Sequence, residues 1–306
     1  MAGLAVITGG AGFIGSHLVG ALRGRGWSVR VVDNLATGFR SNLDHVDEYE
    51  WVEGDLADFE VCRRAAEGAE LVFHQAAIPS VPRSVKEPLE SHASGPTATL
   101  NLLEASRLAG VRRFLFAASS SAYGDTPTLP KHERMLPRPM SPYAAGKLAG
   151  EHYVRVYART MGLDGVSLRY FNVFGPRQDP TSAYSGVIAL FAAAIAAGRR
   201  PTILGDGGQT RDFTYVDNVV HANLLAALAS RPMRGRAINV GTGRRVSLVE
   251  LVAAINGVLG KDLTPEFEPE RAGDVRDSLA SLELASKVLG YEPIVGFEEG
   301  LRRTLL

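Results

Sequence analysis

The sequence predicts an α/β protein with a mostly parallel β-sheet, helices on both faces and a smaller second lobe. Short apolar, β-branched runs alternate with segments whose apolar residues recur at helical spacing. This alternation indicates parallel strands joined by helices that cover both faces of the sheet. The first run ends in a glycine-rich loop, and the alternation changes after Gly175. We therefore expect a doubly wound sheet that carries the loop, and an interleaved lobe of mainly later residues.

The predicted strands are short and rich in Val, Ile, Leu and aromatic residues. They are Leu4–Thr8, Ser28–Val32, Tyr49–Val52, Leu71–His74, Phe114–Ala118, Val166–Tyr170 and Ile238–Val240. Helices are predicted over Gly12–Leu22, Val61–Glu67, Thr97–Leu108, Tyr143–Thr160, Ser182–Ala197, Val216–Ala229 and Val246–Leu259. Pro201–Leu204 is predicted to be extended, and the tail from Glu266 irregular. The larger lobe is predicted to comprise residues 1–174 and 209–244, and the smaller lobe residues 175–208 and 245–306.

The composition excludes several classes of function. The chain has 306 residues, 45% of them hydrophobic, enough for one large domain or two smaller ones. Thirty-three basic residues balance thirty-three acidic ones, so neither nucleic acid nor a membrane surface is an expected partner. The single cysteine, Cys62, cannot form an intramolecular disulfide, which favours a cytoplasmic setting. We predict no signal peptide, no membrane helix and no metal site.

The glycine-rich loop predicts a dinucleotide site. Gly9, Gly12 and Gly15 stand three apart in TGGAGFIG, between the first strand and the first helix. Glycine permits the tight turn and the approach of backbone N–H groups to a pyrophosphate, and a helix N-terminus favours negative charge. Asp33 ends the second strand, where a carboxylate accepts a hydrogen bond from a ribose 2′-hydroxyl and repels a 2′-phosphate. We therefore predict NAD rather than NADP as the cofactor.

Tyr143 and Lys147 stand four residues apart in SPYAAGK, at the start of a predicted helix. Positions i and i+4 share a helix face, so the ammonium group can act on the phenol. A tyrosine base needs such help, because its unperturbed pKa is about 10. The same spacing occurs on exposed helix faces, so other parts of the sequence decide between the two interpretations.

Four motifs, TGGAGFIG, SSSAYG, SPYAAGK and LRYFNVFGP, occur in this order along the chain. Their order and spacing resemble those of the extended short-chain dehydrogenase/reductase family, and within it the UDP-hexose 4-epimerases, especially those acting on N-acetylated sugars. The resemblance covers essentially the whole chain. It implies a Rossmann-type NAD domain, a smaller nucleotide-sugar lobe and a homodimer. It also implies 4-epimerisation of UDP-GlcNAc/UDP-GalNAc and of UDP-Glc/UDP-Gal through a 4-keto intermediate.

The resemblance implies three catalytic residues. In this family a Ser or Thr stands four residues before the Tyr of a YG pair, here Tyr123, and this selects Ser119 from three consecutive serines. Tyr143 is the implied base, with its pKa lowered by Lys147 and by the oxidised nicotinamide. Lys147 is also implied to bind the nicotinamide ribose.

The implied cofactor contacts include one departure from the family pattern. They are Gly9, Gly12, Phe13, Ile14, Gly15, Asp33, Asn34, Thr37, Gly38, Asp55, Leu56, Ala76, Ala77, Tyr143, Lys147 and Tyr170. The family usually has an asparagine near the nicotinamide, and Gly95 stands at that position here. A water molecule or Ser94 is the alternative source of the missing contact.

The implied substrate contacts are polar or small residues, most of them late in the chain. They are Ser120, Ser121, Asn172, Val187, Arg211, Arg271, Asp274 and Ser278. Asn172 and both arginines are the implied diphosphate contacts, since the guanidinium fork binds phosphate oxygens bidentately. Asp274 is the implied partner of the uridine ribose. Ser278 is small where some relatives have tyrosine, which leaves room for a 2-acetamido group.

Two other functions stay open at this point. Dehydratases and decarboxylases on this scaffold carry an acidic residue just after the catalytic Ser or Thr, where this chain has Ser120 and Ser121. A dinucleotide-binding regulator without catalysis has no need of the Ser119, Tyr143 and Lys147 set. 4-Epimerisation therefore ranks first, and epimerisation at another carbon is a further alternative on the same scaffold.

Overall fold

The computed structural model describes residues 3–179, 186–270 and 275–306. Its strands are β1 (Leu4–Thr8), β2 (Ser28–Asp33), β3 (Glu50–Glu53), β4 (Ala69–His74), β5 (Arg113–Ser119), β6 (Gly165–Tyr170), β7 (Val173–Phe174), β8 (Thr202–Leu204), β9 (Thr210–Arg211), β10 (Thr214–Tyr215), β11 (Arg236–Val240), β12 (Val246–Ser247) and β13 (Glu266–Glu268). Its helices are α1 (Phe13–Arg23), α2 (Phe59–Ala66), α3 (Val81–Lys86), α4 (Pro88–His92), α5 (Ala98–Leu108), α6 (Pro142–Thr160), α7 (Val187–Ala196), α8 (Val216–Leu228), α9 (Leu248–Leu259), α10 (Glu283–Leu289) and α11 (Phe297–Leu305). A π-helical turn covers Ala93–Thr97, and 3₁₀ turns cover Arg40–Leu43 and Ser120–Tyr123.

The central sheet has seven strands in the order β11-β6-β5-β4-β1-β2-β3. The pairs β1–β2, β1–β4, β2–β3 and β4–β5 are parallel. Strand order reverses between β1 and β4, and ligands of such sheets bind beyond the carboxyl ends of the strands at that point. The predicted doubly wound α/β fold is therefore confirmed, and it brings the residues after β1 and β4 to one edge.

Both faces of this sheet are buried. On one face, Val6, Val72, Phe114 and Phe116 share a core with residues of α2, α5 and α6, such as Leu102. The alternate residues of the same strands point to the opposite face, and they too are inaccessible to solvent: Ile7, Leu71, Phe73 and Leu115. This explains why the strands are continuous apolar runs rather than alternating polar and apolar sequences.

The described chain divides into two compact units with interleaved segments. The first unit comprises Met1–Ala122, Pro139–Arg169 and Ala222–Ile238, and the second comprises Tyr123–Arg138, Tyr170–His221 and Asn239–Leu306. The predicted lobes, which follow the change of pattern after Gly175, are divided at other residues. Their assignment to a cofactor and to a nucleotide sugar stays a prediction.

The second unit corrects one expectation. The tail after Glu266 is not irregular, because it contains β13, α10 and α11. The charged segment of α11 is anchored by Phe297, whose ring centroid lies 6.0 Å from that of Phe174 and 5.8 Å from that of Phe213. The aromatic packing is a tertiary contact that local composition does not reveal. In the described ranges, no helix combines the length and apolar character that a membrane span requires.

Arg113, the first residue of β5, joins several parts of the first unit. Its guanidinium group is buried, pairs with the Asp164 carboxylate at 2.8 Å, and donates to the carbonyl oxygens of Ala226 and Ala229 at 2.8 Å each. The last turn of α8 and the chain after it thus receive hydrogen bonds from one side chain. The neighbouring Arg112 pairs with Glu70 at the surface instead.

We predict that Arg113→Ala lowers the free energy of unfolding by about 3 kcal/mol, because it removes the cation paired with the Asp164 carboxylate and leaves several carbonyl groups without this donor. Arg112→Ala is the matched control, and it should cost less than about 1 kcal/mol because exposed ion pairs contribute little. Urea unfolding of both variants measures the difference. Equal losses would show that Arg113 does not have this anchoring role.

Candidate active site

Ser119 ends β5, and its hydroxyl group is oriented by a neighbour. The Ser121 hydroxyl donates to Ser119 Oγ at 2.8 Å, and the Ser121 backbone N–H lies 3.2 Å from the same oxygen. Ser119 also interacts with the side chain of Tyr143, and this interaction opposes the rise of the tyrosine pKa. Ser119 Oγ accepts from the Ser121 hydroxyl, so its own hydrogen is available to a further acceptor. Ser121, predicted to contact the substrate, thus supports Ser119 in this structure.

The start of α6 presents Tyr143 to this serine. The Ser141 hydroxyl oxygen accepts from the Ala144 N–H at 3.2 Å, and Pro142 occupies the first helical position. Serine caps and a first-turn proline are typical helix starts. Tyr143 therefore lies in the first turn, where the helix dipole favours a negative charge.

Lys147 lies one turn further along α6 and is 7% exposed. Its Nζ donates to the Ala117 carbonyl oxygen at 2.7 Å and lies 5.0 Å from the centroid of the Phe116 ring. Burial lowers the pKa of Lys147 to about 8, while the carboxylate of Glu151 acts in the opposite direction. The ammonium form therefore persists at neutral pH.

The lowering of the Tyr143 pKa is expected from Lys147 and the oxidised nicotinamide acting together, and it stays a prediction for the NAD-bound chain. In the chain alone, burial raises the pKa of Tyr143 above its usual value, and Ser119 opposes this rise. Lys147 Nζ lies 5.9 Å from the centroid of the tyrosine ring and is directed to the Ala117 carbonyl. Helix spacing correctly put the two residues on one face, but it did not reveal how far burial opposes ionisation.

A cleft beside Tyr143 and Lys147 contains the position where the family pattern is broken. Gly95 lines this cleft, together with Ala77 and Ser94. A Cβ atom at Gly95 would meet no described atom within 4 Å, apart from its own chain neighbours. The Ser94 hydroxyl donates to the Glu90 carbonyl at 2.9 Å. The asparagine that the family usually has is thus replaced by open space.

The glycine-rich loop fits a dinucleotide. Gly9 has a φ of +65°, and a side chain there would put Cβ 2.7 Å from the Ala76 nitrogen. A side chain at Gly15 would collide with the Gly9 carbonyl oxygen. In the described part of the chain, no side chain caps α1 after Gly12, and its first turn holds no acidic residue. The N–H groups of Phe13 and Ile14 belong to this turn, which suits a pyrophosphate.

Asp33 connects the end of β2 to this loop. Its carboxylate accepts from the Ala11 N–H at 3.0 Å and from the Leu35 N–H at 2.9 Å. Burial raises the pKa of Asp33, and these backbone donors oppose the increase. Gly38 packs against Ala11, where its Cβ would lie 2.9 Å from the carbonyl carbon. Asn42, which the sequence did not suggest, donates to the Ala11 oxygen at 2.8 Å.

The residues predicted to contact the adenosine end of NAD lie in two adjacent loops. The Asn34 amide donates to the Asp55 carboxylate at 3.0 Å, and Thr37 is exposed. Leu56 is buried, and its carbonyl accepts from the Asn101 amide at 3.1 Å. Asn101 on α5 was not predicted, because an asparagine within an apolar helical pattern gives no signal of the loop that it supports.

The second unit contains the remaining described substrate positions. Asn172 has a φ of +30°, and its amide donates to the Asp212 carbonyl at 3.3 Å. Arg211 donates to the carbonyls of Thr210 and Arg276 at 2.9 Å each, and the Ser278 N–H donates to the same Thr210 oxygen at 3.1 Å. Arg211 and Ser278 thus lie together.

Three predicted positions have a less definite setting, and two more cannot be placed. Tyr170 ends β6 and is buried, Val187 begins α7, and Ser120 begins the 3₁₀ turn after β5. Arg271 and Asp274 lie outside the described residues.

Comparison with known proteins identifies the family. The sequence model of the NAD dependent epimerase/dehydratase family matches residues 5–241. The chain belongs to this family. It is 42% identical over 305 residues to a UDP-glucose 4-epimerase of Mycolicibacterium smegmatis, covering 98% of this chain and 96% of that protein.

Solved structures of the family are also similar. A UDP-N-acetylglucosamine 4-epimerase from Methanobrevibacter ruminantium M1, in complex with UDP-N-acetylmuramic acid, has a TM-score of 0.94 and 39% identity, covering 99% of this chain and 97% of that one. A Thermus thermophilus UDP-glucose 4-epimerase in complex with NAD has a TM-score of 0.88 and 42% identity, at the same coverage. The predicted family membership is therefore confirmed.

In this family member, we predict that Ser119→Ala raises the pKa of Tyr143 by a further 1 to 2 pH units, roughly the effect of one hydrogen bond to a charged oxygen. The phenolate titration by ultraviolet absorbance, after subtraction of the Tyr143→Phe titration, measures this. Ser106→Ala removes a buried hydroxyl that bonds within α5, and it should leave the titration unchanged. The same titration in both serine variants would contradict the Ser119–Tyr143 bond.

Proposed function

We propose that this chain is an NAD-dependent 4-epimerase of UDP-hexoses. The placement of Tyr143 beside both Ser119 and the buried ammonium of Lys147 carries the proposal. A hydroxyl donor and a phenol at one point can bind a sugar hydroxyl and move its proton. The similarity to named UDP-sugar 4-epimerases supports the class of substrate.

The cofactor fits the first unit. When bound, NAD supplies the hydride chemistry at C4 and ends unchanged, so no external reductant is consumed. The N-terminus of α1 and the glycines at 9, 12 and 15 would hold its pyrophosphate. Asp33 would bind a ribose hydroxyl, and Lys147 the ribose next to the nicotinamide.

The chain's own residues would manage the proton at the sugar 4-oxygen. Tyr143 in its ionised form accepts the proton of the 4-hydroxyl, while Ser119 donates a hydrogen bond to the same oxygen. Both residues act in reverse when the hydrogen returns to the opposite face of the 4-keto sugar. Since burial raises the pKa of Tyr143, ionisation requires the positive charges of Lys147 and of the bound nicotinamide.

The nucleotide has to stay bound while the sugar turns over. Asn172 and Arg211 of the second unit are proposed to hold the diphosphate, with Arg271 as a further arginine and Asp274 as the ribose ligand. Ser278 is 9% exposed, and its small side chain is proposed to admit the 2-acetamido group of UDP-GlcNAc and UDP-GalNAc. We also propose a cytoplasmic homodimer, consistent with the balanced charge and the buried, unpaired Cys62.

The first test incubates the purified protein separately with UDP-Glc, UDP-Gal, UDP-GlcNAc and UDP-GalNAc and resolves the products chromatographically. We expect each sugar to yield its 4-epimer without added reductant, and Tyr143→Phe to lose this activity at least about 100-fold, the usual contribution of a general base. A product that has lost water would indicate a dehydratase. Retention of NAD with no turnover of any substrate would indicate a binding protein.

The second test concerns sugar selection. Ser278→Tyr should lower kcat/KM for UDP-GalNAc about 10- to 100-fold, because overpacking costs about 1–3 kcal/mol, and it should spare UDP-Gal. Ser278→Ala keeps the small volume and is the matched control, expected to retain both activities. Equal losses on UDP-Gal and UDP-GalNAc would remove Ser278 from the proposed sugar site.

A further inference from the structure

His74, the last residue of β4, is completely buried between two threonine hydroxyls. Its Nδ1 lies 2.8 Å from Thr8 Oγ1, and its Nε2 lies 3.0 Å from Thr99 Oγ1. Thr8 ends β1, immediately before the glycine-rich loop, and Thr99 lies in the first turn of α5. One imidazole ring therefore connects two strands and a helix at the carboxyl edge of the sheet.

The outer hydrogen bonds of the threonines fix the tautomer of the imidazole. The Thr99 hydroxyl donates to the Gly95 carbonyl at 2.8 Å, so its oxygen accepts from His74 Nε2–H. The other ring nitrogen, Nδ1, then carries no hydrogen and accepts from the Thr8 hydroxyl. Thr8 Oγ1 is itself the acceptor of the Ala76 N–H, at 3.3 Å. The hydrogen bonds therefore all run in one direction, from Thr8 through His74 and Thr99 to the Gly95 carbonyl.

The surroundings keep the ring neutral. The centroids of Phe114 and Phe116 lie 5.8 and 5.6 Å from that of His74. The same Phe116 ring lies 5.0 Å from Lys147 Nζ. Burial lowers the pKa of His74 to about 3, and the positive charge of Lys147 adds to this effect. A protonated ring would also have to donate at Nδ1, which would reverse the Thr8 bond.

The series of hydrogen bonds through His74 ends at two segments of the protein that the proposed reaction needs in fixed positions. At one end, Thr8 precedes Gly9, which is packed so closely on Ala76 that a Cβ at position 9 would lie 2.7 Å from its nitrogen. At the other end, Gly95 lines the cleft that Tyr143 and Lys147 also line. In the proposed function, the first segment would hold the cofactor phosphates, and the second would lie beside the reacting sugar.

We propose that neutral His74 is a positioning residue that fixes the cofactor-phosphate loop and the Gly95 wall of the catalytic cleft relative to each other. The proposal rests on the proposed NAD-dependent function of this site. His74 touches neither substrate nor cofactor, so it acts through Thr8 on cofactor retention and through Thr99 on the reaction step.

The first measurement is nitrogen-15 NMR of histidine-labelled protein without cofactor. One histidine should show the Nε2–H tautomer and stay neutral through the pH range around 6.5 in which exposed histidines titrate. Its signals should be absent in His74→Gln. A titrating or Nδ1–H imidazole at this position would overturn the proposal, whatever the catalytic activity of the protein.

The second measurement separates the two arms with a matched pair of variants. His74→Gln places its amide near the Nε2 position, so it keeps only the hydrogen bond to Thr99. His74→Asn places its amide near the Nδ1 position, so it keeps only the hydrogen bond to Thr8. We expect His74→Gln to release NAD about tenfold faster, the equivalent of one hydrogen bond. His74→Asn should retain NAD but lose about tenfold in kcat on UDP-Gal, with little change in KM.

Threonine variants give the same information if a histidine variant fails to fold. Thr8→Val should reproduce the faster release of NAD, and Thr99→Val should reproduce the lower kcat. Thr8→Ser and Thr99→Ser keep the hydroxyl groups, so they should retain normal NAD release and normal kcat. Ser106→Ala removes an equally buried hydroxyl from α5 and should change neither quantity. Variants that alter both quantities together, or neither, would overturn the proposal. NAD release and NMR need no sugar turnover, so they remain informative even if the 4-epimerase function is wrong.

Discussion

A single buried ion–dipole bond aligns the proposed catalytic residues. The Lys147 ammonium is held by the Ala117 carbonyl at 2.7 Å, which joins α6 to β5 at one point. Ser119 lies two residues further along the strand, about 6.7 Å away, and Tyr143 lies four residues back along the helix, about 6 Å away. The two distances nearly match, and a helix that follows a parallel strand runs back against it. The lysine bond therefore brings the phenol to the serine hydroxyl.

The burial that makes this alignment firm also opposes ionisation of the tyrosine. A phenolate at Tyr143 would be a buried negative charge, and a single hydrogen bond from Ser119 does not compensate for its desolvation. Lys147 remains charged, but its ammonium group is directed to the Ala117 carbonyl of the strand. Tyr143 is therefore a neutral phenol in the chain alone. A cationic ligand has to supply the charge that offsets the desolvation of the phenolate. Ionisation of Tyr143 therefore depends on whether the cofactor site is occupied.

Residue pattern predicted the fold and put Tyr143 and Lys147 on one helix face, because strand alternation and helix spacing are local properties of the sequence. The choice of Ser119 rests on the family resemblance, and the catalytic role of all three residues stays a prediction. It did not predict the helices of the tail, since α11 depends on the contact of Phe297 with distant rings. It likewise missed Asn42 and Asn101, whose partners are backbone carbonyls of other loops. Spacing defines a helix face but not its depth, so it did not reveal that burial raises the pKa of Tyr143 in the chain alone.

A loop that binds a ligand's phosphates through backbone N–H groups has little room for side chains. Residues outside the loop must therefore keep it rigid. In TGGAGFIG the glycines offer backbone groups only, so neighbouring residues must fix the loop from behind. Asp33 accepts from the Ala11 N–H, and Asn42 donates to the Ala11 oxygen. Thr8 connects the loop to Ala76 and, through His74, to the helix beyond. Substitutions at Thr8, His74 and Asn42 are therefore expected to act on the loop from behind, whereas Asp33 both supports the loop and is a proposed ribose ligand.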